Sequence, residues 1–297
     1  MKTLLIMAAG NGSRYGALKQ FDNLGPEKEF LFEYSIFDAI ESGFDHIVVI
    51  TKREFVTEIS TYLQKRLPNN IKIDVIEQVL EDLPAGIDQK FERLKPWGTA
   101  HAVWSARNHI KNGFAVLNAD DFYGKGAFEK AAEFLQNNKS DDQYGLVSYY
   151  LNDTLSDHGT VSRGICEAEN DQLLKISELL EIGKNKDGSI IDFNTNTNLT
   201  GEEPTSMNFW ICYPSFFEEI EKQFTVFLKD EQLVAKGEIY IPLAIQKMIE
   251  SNLIQVKLTA ANSTWFGVTH AADKEMALKI LQQMTDDKQY PKPLWKI

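Results

Sequence analysis

The chain has 297 residues, of which 43% are apolar and 25% charged, and its formal net charge is -12. This composition predicts a folded globular protein with a large core, and the acidic balance argues against a nucleic-acid partner or an anionic membrane surface, because both attract clustered Lys and Arg. Only two cysteines occur, and the short N-terminal apolar run is typical of a core strand rather than of a signal peptide or a membrane span. We therefore expect a cytoplasmic protein.

Predicted strands and helices alternate over the first 125 residues. Apolar runs predict four strands, at 3–8, 46–51, 72–78 and 114–120. Apolar residues at helical spacing predict helices between these strands, beginning near Phe30, over 54–66 and over about 103–110. This alternation predicts a parallel sheet with helices on both faces.

After residue 125 the strands follow one another with fewer helices between them. Further strands are predicted at 144–150, 159–166, 173–180, 206–214 and 254–258. Helices are predicted after Pro214, over 241–251 and at the end of the chain, where Met276, Ile280 and Met284 share a face. The sheet is therefore expected to gain antiparallel members, and the segments 80–97 and 183–203 are predicted as loops. No composition separates two domains, so we predict one domain over 1–297.

A glycine-rich loop follows the first predicted strand, with the sequence AAGNGSRYGALKQF over residues 8–21. It matches neither the GxGxxG of dinucleotide-binding folds nor the Gly-Lys-Ser/Thr of a Walker A loop, and no acid clearly ends the second strand. Instead, Arg14 and Lys19 lie behind a row of backbone N–H groups. Two cations beside such an anion site suit a reaction in which a triphosphate is attacked at its α-phosphorus and pyrophosphate leaves.

This loop resembles the signature loop of the sugar-1-phosphate nucleotidyltransferases, a family with the GT-A-like nucleotide-diphospho-sugar transferase fold. The resemblance implies a Rossmann-like three-layer α/β/α architecture with a mixed, mainly parallel sheet. It also implies that Arg14 and Lys19 stabilise the transition state and the leaving pyrophosphate. The loop backbone would hold the nucleoside triphosphate, through Ala8, Ala9, Gly10, Asn11 and Gly12. Leu18 departs from the usual Pro or Ser, and the short spacing from Arg14 to Lys19 is like that of the molybdenum-cofactor cytidylyltransferases.

Two later motifs agree with this resemblance. Gln78 ends a predicted strand, and Gly98 and Thr99 begin a helix, in the positions that the family uses to read a pyrimidine base. A Gln amide offers both a donor and an acceptor to an imide edge, and Gly98 lets a base approach closely, although Thr99 is equally a candidate helix N-cap. Neighbouring Trp97 is more often a core or pocket-wall residue than a stacking platform.

Asp120 and Asp121 follow the fourth strand, at the edge where α/β sheets place their ligands. A carboxylate there can hold Mg²⁺ against triphosphate oxygens, and the resemblance assigns this role to Asp120. Asp121 is a better candidate for capping the following helix.

The second half, residues 140–297, resembles the family's sugar-phosphate-binding half more weakly, and residues 1–125 its nucleotide-binding half. By resemblance, the sugar hydroxyls would be bound by Gly159, Glu181 and Asn208. Leu243 and Gly267 depart from the pattern, because relatives have an Asp at these positions and neither residue can bind a metal. The metal is then held by Asp120 and phosphate oxygens alone, or with another acid such as Glu238 or Asp273.

The sequence thus predicts a Mg²⁺-dependent enzyme that transfers a nucleotidyl group from an NTP to a sugar 1-phosphate, giving NDP-sugar and pyrophosphate. Gln78 and Thr99 favour UTP or dTTP over a purine nucleotide. One alternative is a cytidylyltransferase that acts on a non-sugar alcohol or phosphate. Another, suggested by Leu243, is a sugar-nucleotide-binding regulator without turnover. A glycosyltransferase of related fold normally lacks this loop. No nucleic-acid or membrane partner is expected, and the oligomeric state stays open.

Overall fold

The computed structural model describes residues 1–10, 23–138, 140–156, 159–268 and 271–295. Within these ranges the strands are β1 (Thr3–Met7), β2 (His46–Thr51), β3 (Lys72–Glu77), β4 (Phe114–Asn118), β5 (Asp121–Phe122), β6 (Gln143–Tyr150), β7 (Val161–Glu169), β8 (Gln172–Lys184), β9 (Ile190–Asp192), β10 (Thr197–Leu199), β11 (Pro204–Cys212), β12 (Gln255–Ala260) and β13 (Phe266–Gly267). The α-helices are α1 (Leu31–Glu41), α2 (Val56–Arg66), α3 (Thr99–Trp104), α4 (Lys125–Asn137), α5 (Ser215–Phe227), α6 (Glu231–Lys236), α7 (Ile241–Glu250) and α8 (Ala271–Asp286).

Eleven of the strands form one sheet, in the order β10-β9-β8-β12-β6-β11-β4-β1-β2-β3, with β7 paired to β11 and β8. The first four strands of the chain are parallel, as their alternation with helices predicts. Their carboxyl ends meet at one edge of the sheet, where Met7 is level with Asn118 and Ile50.

The sheet is mixed, as predicted, but it is not mainly parallel. In the described part of the chain four of its pairings are parallel. Seven are antiparallel. The prediction of a mainly parallel sheet was wrong for two reasons. Short connections join β7 to β8, β8 to β9 and β9 to β10, and such connections favour antiparallel neighbours. The other four antiparallel pairings place β11 or β12 beside strands that are not adjacent to them in the chain.

Alternate residues of the central strands face two separate hydrophobic clusters. Leu4 and Ile6 of β1 pack with buried residues of α1 and α4. Leu5 and Val48 pack with buried residues of α3, α5 and α7. This alternation follows from the two-residue period of a strand, and it leaves the carboxyl edge between the two sets of helices for ligands.

The segment 183–203, predicted as a loop, contains strands β9 and β10. They form an antiparallel hairpin, and β9 pairs with the end of β8. Buried Asp192 holds the hairpin, since its carboxylate accepts hydrogen bonds from the backbone N–H of Glu181 and of Thr195, each at 2.8 Å. The polar residues that predict a loop here include Thr195, which donates to the buried carboxylate of Asp192. The segment 80–97, by contrast, has no helix or strand, as predicted.

None of the helices in the described ranges has the length and apolar character needed to cross a bilayer.

Candidate active site

A cleft of about 260 Å³ opens at the carboxyl edge of β1, β3 and β4. Its lining comes from the ends of these strands, from the start of α3, from the segment before α3 and from the segment before α7: Met7, Ala9, Gly10, Gln78, Lys95, Pro96, Gly98, Thr99, Ala102, Asn118, Asp120 and Glu238. The parallel register explains the convergence, because parallel strands bring their carboxyl ends to the same edge.

The cleft gathers most of the predicted nucleotide-binding residues that the structure describes. Five of them line it, namely Ala9, Gly10, Gln78, Gly98 and Thr99. Ala8 is not in the lining; it is buried, and its N–H donates to the carbonyl of Ile50 at 2.7 Å. The other four candidates of the loop lie outside the described residues: Asn11, Gly12, Arg14 and Lys19.

Gln78 directly follows β3, and Gly98 and His101 hold its side-chain amide in place. Its Nε2 contacts the carbonyl oxygen of Gly98 at 3.4 Å and Nδ1 of His101 at 3.1 Å. His101 was not predicted as a site residue. It is fully buried, and burial lowers its pKa to about 4, so the imidazole is neutral near pH 7.

Gly98 is the N-cap of α3 and has a φ of 108°. A Cβ built there lies 2.5 Å from the carbonyl oxygen of Ile239. The predicted role of Gly98 was to admit a base, but its own fold already requires glycine, because the backbone of Ile239 lies against it. Two hydrogen bonds strengthen this junction: Ile239 N–H donates to Trp97 at 2.7 Å, and Ala100 N–H donates to Ile239 at 2.9 Å.

Thr99 lines the cleft but caps a different helix from the one predicted. Its hydroxyl oxygen accepts a hydrogen bond from the N–H of Ile241, the first residue of α7, at 3.1 Å. Neighbouring Trp97 is fully buried against Phe91, Phe224 and Phe227, so it is a core residue rather than a stacking platform.

Asp120 lines the cleft, whereas Asp121 points into the protein. The carboxylate of Asp121 accepts hydrogen bonds from Nδ2 of Asn118 at 2.9 Å and from the hydroxyl of Tyr123 at 3.2 Å. Burial, together with the charge of Asp120, raises the pKa of Asp121 to about 7. Asp121 does not cap α4, because it lies in β5 and the N-cap of α4 is Gly124.

The predicted sugar-binding residues lie outside this cleft. Gly159 is exposed before β7, and Glu181 is exposed on β8. Asn208 is in a bulge of β11, with a φ of 60°, two residues before the Trp210–Val116 pair. It is therefore about level with Asn118 at the end of β4.

A charged cluster that the sequence did not predict lies beside Asp121. Arg163 of β7 interacts with the charges of Asp121 and Glu178, and its guanidinium lies 5.0 Å from the ring centroid of Trp265. Burial raises the pKa of Glu178, and Arg163 opposes this shift. Glu178 pairs in register with Gly164, and a Cβ on Gly164 would lie 3.6 Å from its carboxylate.

Leu243 and Gly267, where relatives have Asp, lie in different parts of the structure. Leu243 is 57% exposed on α7 and does not line the cleft. Gly267 pairs with Asp121, and a Cβ on it would lie 2.7 Å from the Asp121 carboxylate, so the space for a side chain at 267 is already filled. Of the two acids considered as substitutes, Glu238 lines the cleft and forms an ion pair with Lys95, while Asp273 does not line it.

The residues present fit Mg²⁺ in one way. Among the described residues no group of three or more His, Cys, Asp or Glu side chains could hold a metal ion. Asp120 nevertheless faces the cleft with Glu238 in the same lining. Mg²⁺ characteristically takes one or two carboxylates and completes its shell with water and substrate phosphates, so this donor set is sufficient only when a triphosphate is present.

Comparison with known proteins identifies the family of this chain. A family model described as "Nucleotidyl transferase" matches residues 3–189. Over 135 residues the chain is 30% identical to the UTP–glucose-1-phosphate uridylyltransferase of Bacillus subtilis (strain 168). That alignment covers 41% of this chain and 44% of the relative, so the chain matches less than half of that relative's length.

Solved structures share the whole fold at low identity. An inositol-1-phosphate CTP transferase from T. maritima is similar with a TM-score of 0.63 at 12% identity, over 96% of this chain and 97% of that one. A structure described as a glucose-1-phosphate thymidylyltransferase from Bacillus anthracis is similar with a TM-score of 0.63 at 14% identity, over 95% and 96%. The UDP-glucose pyrophosphorylase of Acinetobacter baumanii gives 0.58 at 14%, over 96% and 98%. These likenesses establish a nucleotidyltransferase-like α/β fold with a mixed sheet.

Proposed function

Because the chain belongs to the nucleotidyl transferase family, we propose that it transfers a nucleotidyl group from UTP or dTTP to a sugar 1-phosphate. The observation that carries this proposal is the single cleft in which Ala9, Gly10, Gln78, Gly98 and Thr99 meet Asp120. A base held near Gln78 and Gly98 directs its triphosphate along the strand edge toward Asp120. The uridylyl- and thymidylyltransferases among the similar proteins support the choice of nucleotide.

In the proposed reaction, an oxygen of the sugar phosphate attacks the α-phosphorus of the NTP. The new bond joins this oxygen to the α-phosphorus, and the bond from the α-phosphorus to the oxygen bridging to the β-phosphate breaks. Pyrophosphate leaves with that bridging oxygen. No covalent intermediate on the protein is needed.

The proposed roles of the residues follow from their position or from the family loop. Arg14 and Lys19 offset the negative charge that develops on the phosphoryl oxygens and on pyrophosphate. The loop backbone of Asn11 and Gly12 donates hydrogen bonds to the triphosphate, next to Gly10 in the cleft lining. Asp120 would hold Mg²⁺ together with phosphate oxygens, and the bound ion neutralises charge on the triphosphate.

For the sugar phosphate, Gly159, Glu181 and Asn208 remain candidates, and we add Arg163 and Glu178. The reason is chemical: a half-buried guanidinium beside Asp121 can meet a phosphate, and the Glu178 carboxylate can accept hydrogen bonds from hydroxyls. We also propose one domain over 1–297, since one sheet includes strands of both halves. A cytoplasmic location remains part of the proposal.

A second candidate function is cytidylyl transfer to a non-sugar alcohol or phosphate. Two observations favour it, namely the short spacing from Arg14 to Lys19 and the similarity to a CTP transferase. A regulator that binds a nucleotide sugar without turnover is a third, suggested by Leu243.

Pyrophosphate release over a panel of UTP, dTTP, CTP and purine nucleotides, each with several sugar 1-phosphates and inositol 1-phosphate, tests the proposal. We expect release with UTP or dTTP and a sugar 1-phosphate in the presence of Mg²⁺. Release with CTP alone supports the cytidylyl alternative, and binding of a nucleotide sugar without any release supports the regulator. A Lys19→Ala variant that keeps full turnover contradicts the proposed mechanism.

A further inference from the structure

The amide of Gln78 has a defined orientation. Both of its hydrogen bonds use Nε2, one to the carbonyl of Gly98 at 3.4 Å and one to Nδ1 of His101 at 3.1 Å. A carbonyl oxygen can only accept, so the atom that faces Gly98 is the NH₂ group. The other atom, Oε1, has no hydrogen-bond partner among the residues that the structure describes. Gln78 lines the cleft, so Oε1 is the group left for a ligand.

The protonation of His101 follows from its other neighbour. Its Nε2 lies 3.0 Å from the carbonyl oxygen of Asp82, which can only accept, so Nε2 carries a proton. In the neutral ring Nδ1 is then an acceptor, and it can receive a hydrogen bond only from the NH₂ group of Gln78. The ring itself is wedged between Trp104 and Phe224, at centroid distances of 5.7 and 5.1 Å, so it cannot turn over easily.

The segment 80–97 supplies the carbonyl that fixes His101. The carboxylate of Asp82 accepts two hydrogen bonds from the guanidinium of Arg107, at 2.7 and 2.6 Å, and that guanidinium lies 3.5 Å from the ring centroid of Trp104. The indole N–H of Trp97 donates to the carbonyl of Leu80 at 2.9 Å. Although it has no helix or strand, this segment is therefore held at Leu80 and at Asp82.

Arg93 anchors the far end of the same segment. Its guanidinium donates to the carbonyl oxygens of Val234 and Gly237, each at 2.6 Å, and to that of Pro96 at 2.8 Å. It also lies 4.4 Å from the ring centroid of Trp97. The segment is thus tied both to α3 and to the chain before α7, so that the carbonyl of Asp82 keeps its position.

We infer that His101 is a positioning residue for base selection: held by the segment 80–97, it turns the Gln78 amide so that only an acceptor faces the cleft. This inference rests on the proposed function, because it requires a pyrimidine nucleotide in the cleft. Uracil and thymine carry N3–H, which donates to Oε1. The N3 of cytosine is itself an acceptor, so cytosine meets Oε1 only if it shifts to present its 4-amino group instead. A free Gln side chain serves both kinds of base by rotating its amide, and His101 removes this freedom.

The preference for UTP or dTTP over CTP should be measurable. A hydrogen bond that cannot form in the site leaves a polar group without a partner. We expect the wild type to bind UTP or dTTP about ten to a hundred times more tightly than CTP. Replacing His101 by Phe removes the acceptor at Nδ1, lets the amide rotate, and should reduce this ratio to within about threefold. His101→Asn retains a side-chain acceptor close to the position of Nδ1 and should restore most of the preference.

The test measures Kd for UTP, dTTP and CTP by calorimetry with the full chain and its variants. Steady-state KM and kcat follow for each nucleotide, with thermal unfolding to verify the fold. The matched control is His109→Phe, a change of the same type on a histidine that is 39% exposed and pairs with Asp74. The control should keep the wild-type ratio, and the change in His101→Phe should appear in the ratio of KM values more than in kcat.

A measurement on the wild type keeps the inference testable if the His101 variants do not fold. Nitrogen NMR after selective ¹⁵N labelling of histidine reports the tautomer, and we expect His101 to carry its proton on Nε2. A proton on Nδ1 overturns the inference, as does a His101→Phe variant that folds and keeps the wild-type preference.

The failure of the proposed function gives a different result. Selective binding of UTP without pyrophosphate release refutes the enzyme but leaves the role of His101 intact. Preferential binding of CTP by the wild type, or no binding of any pyrimidine nucleotide, overturns the inference itself.

Discussion

The two halves of the sheet build their sites by different rules. At the parallel edge, β1, β3 and β4 end together, so residues that follow strands in the sequence also meet in space, as Gln78 and Asp120 do. In the antiparallel half the register shifts between Val161 and Arg163 and again between Glu167 and Ala168. Each shift changes which side chains oppose each other, and order along the chain no longer identifies the residues that meet.

The comparison predicts that the parallel edge carries the chemistry, and Asp120→Asn tests this most strongly. Removing the carboxylate that would hold Mg²⁺ should lower turnover by roughly a hundred- to a thousandfold. The Mg²⁺ dependence of NTP binding, measured by calorimetry, should weaken in parallel. Full turnover in the variant would mean that the metal is held elsewhere, and unchanged thermal unfolding is the control for an intact fold.

The contact between Gly98, at the start of α3, and Ile239, before α7, joins the first part of the chain to the last part and is the next feature to test. Gly98→Ala combines a positive φ with a Cβ 2.5 Å from a carbonyl oxygen, and it should lower the free energy of unfolding by about 2–4 kcal/mol. Gly86→Ala is the matched control, since Gly86 also has a positive φ of 81° but nothing within 4 Å of its Cβ, and it should cost about 1 kcal/mol. Urea unfolding measures both, and equal losses would disprove the close contact.

In the antiparallel half, Glu178→Gln and Glu181→Gln distinguish the observed register from the residue chosen by sequence. Glu178 lies with Arg163 and opposite Gly164, whereas Glu181 is exposed beside the β9 hairpin. We expect Glu178→Gln to raise KM for the sugar phosphate about tenfold with little change in KM for the nucleotide, and Glu181→Gln, whose carboxylate is exposed, to raise KM for the sugar phosphate by only about two- to threefold. The reverse order of effects would favour the sequence-based assignment.

The smallest expected effect is on the pH dependence of stability, and it compares two buried acids, Asp38 in the first part of the chain and Asp192 in the second. Burial raises the pKa of Asp38 to about 7, and its described side-chain hydrogen bond comes from the hydroxyl of Tyr290 at 2.7 Å. Burial would also raise the pKa of Asp192, but hydrogen bonds from Thr195 and from backbone N–H groups outweigh it and lower that pKa.

The two acids should therefore respond to pH in opposite ways. The stabilising contribution of Asp38 is complete below about pH 4, where its unfolded form also holds a proton, and is lost as the pH rises through 7. That of Asp192 is present above about pH 4 and is lost as the pH falls through its lowered pKa. Asp38→Asn should thus gain about 1–2 kcal/mol over the wild type between pH 5 and pH 8, and Asp192→Asn should lose about 1–2 kcal/mol at pH 7. Urea unfolding at several pH values gives both quantities, and the same sign for both variants would contradict this account.

The sequence by itself determined the parallel edge and which strand-end residues lie at it. Buried apolar runs separated by helical patterns specify parallel strands, and the carboxyl ends of such strands must meet, so Gln78 and Asp120 could be placed at one edge without coordinates. Gly98 was placed beside Gln78 by the resemblance to the nucleotidyltransferase family. In the structure, β7 and β8 are joined by a turn at Asn170 and Asp171, both with positive φ. Counting back from that turn in even register pairs Gly164 with residue 177, one short of its true partner.

Only the tertiary structure decided the rest. The bulge after Glu167 moves Glu178 opposite Gly164, and a bulge inserts a residue without a reliable mark in the sequence. The buried carboxylate of Asp192 turns a polar segment into a hairpin, and the carbonyl of Asp82 sets the proton of His101 from 19 residues away. Hydrogen bonds between distant backbone and side-chain groups depend on where the chain returns to itself, so local composition and periodicity cannot specify them.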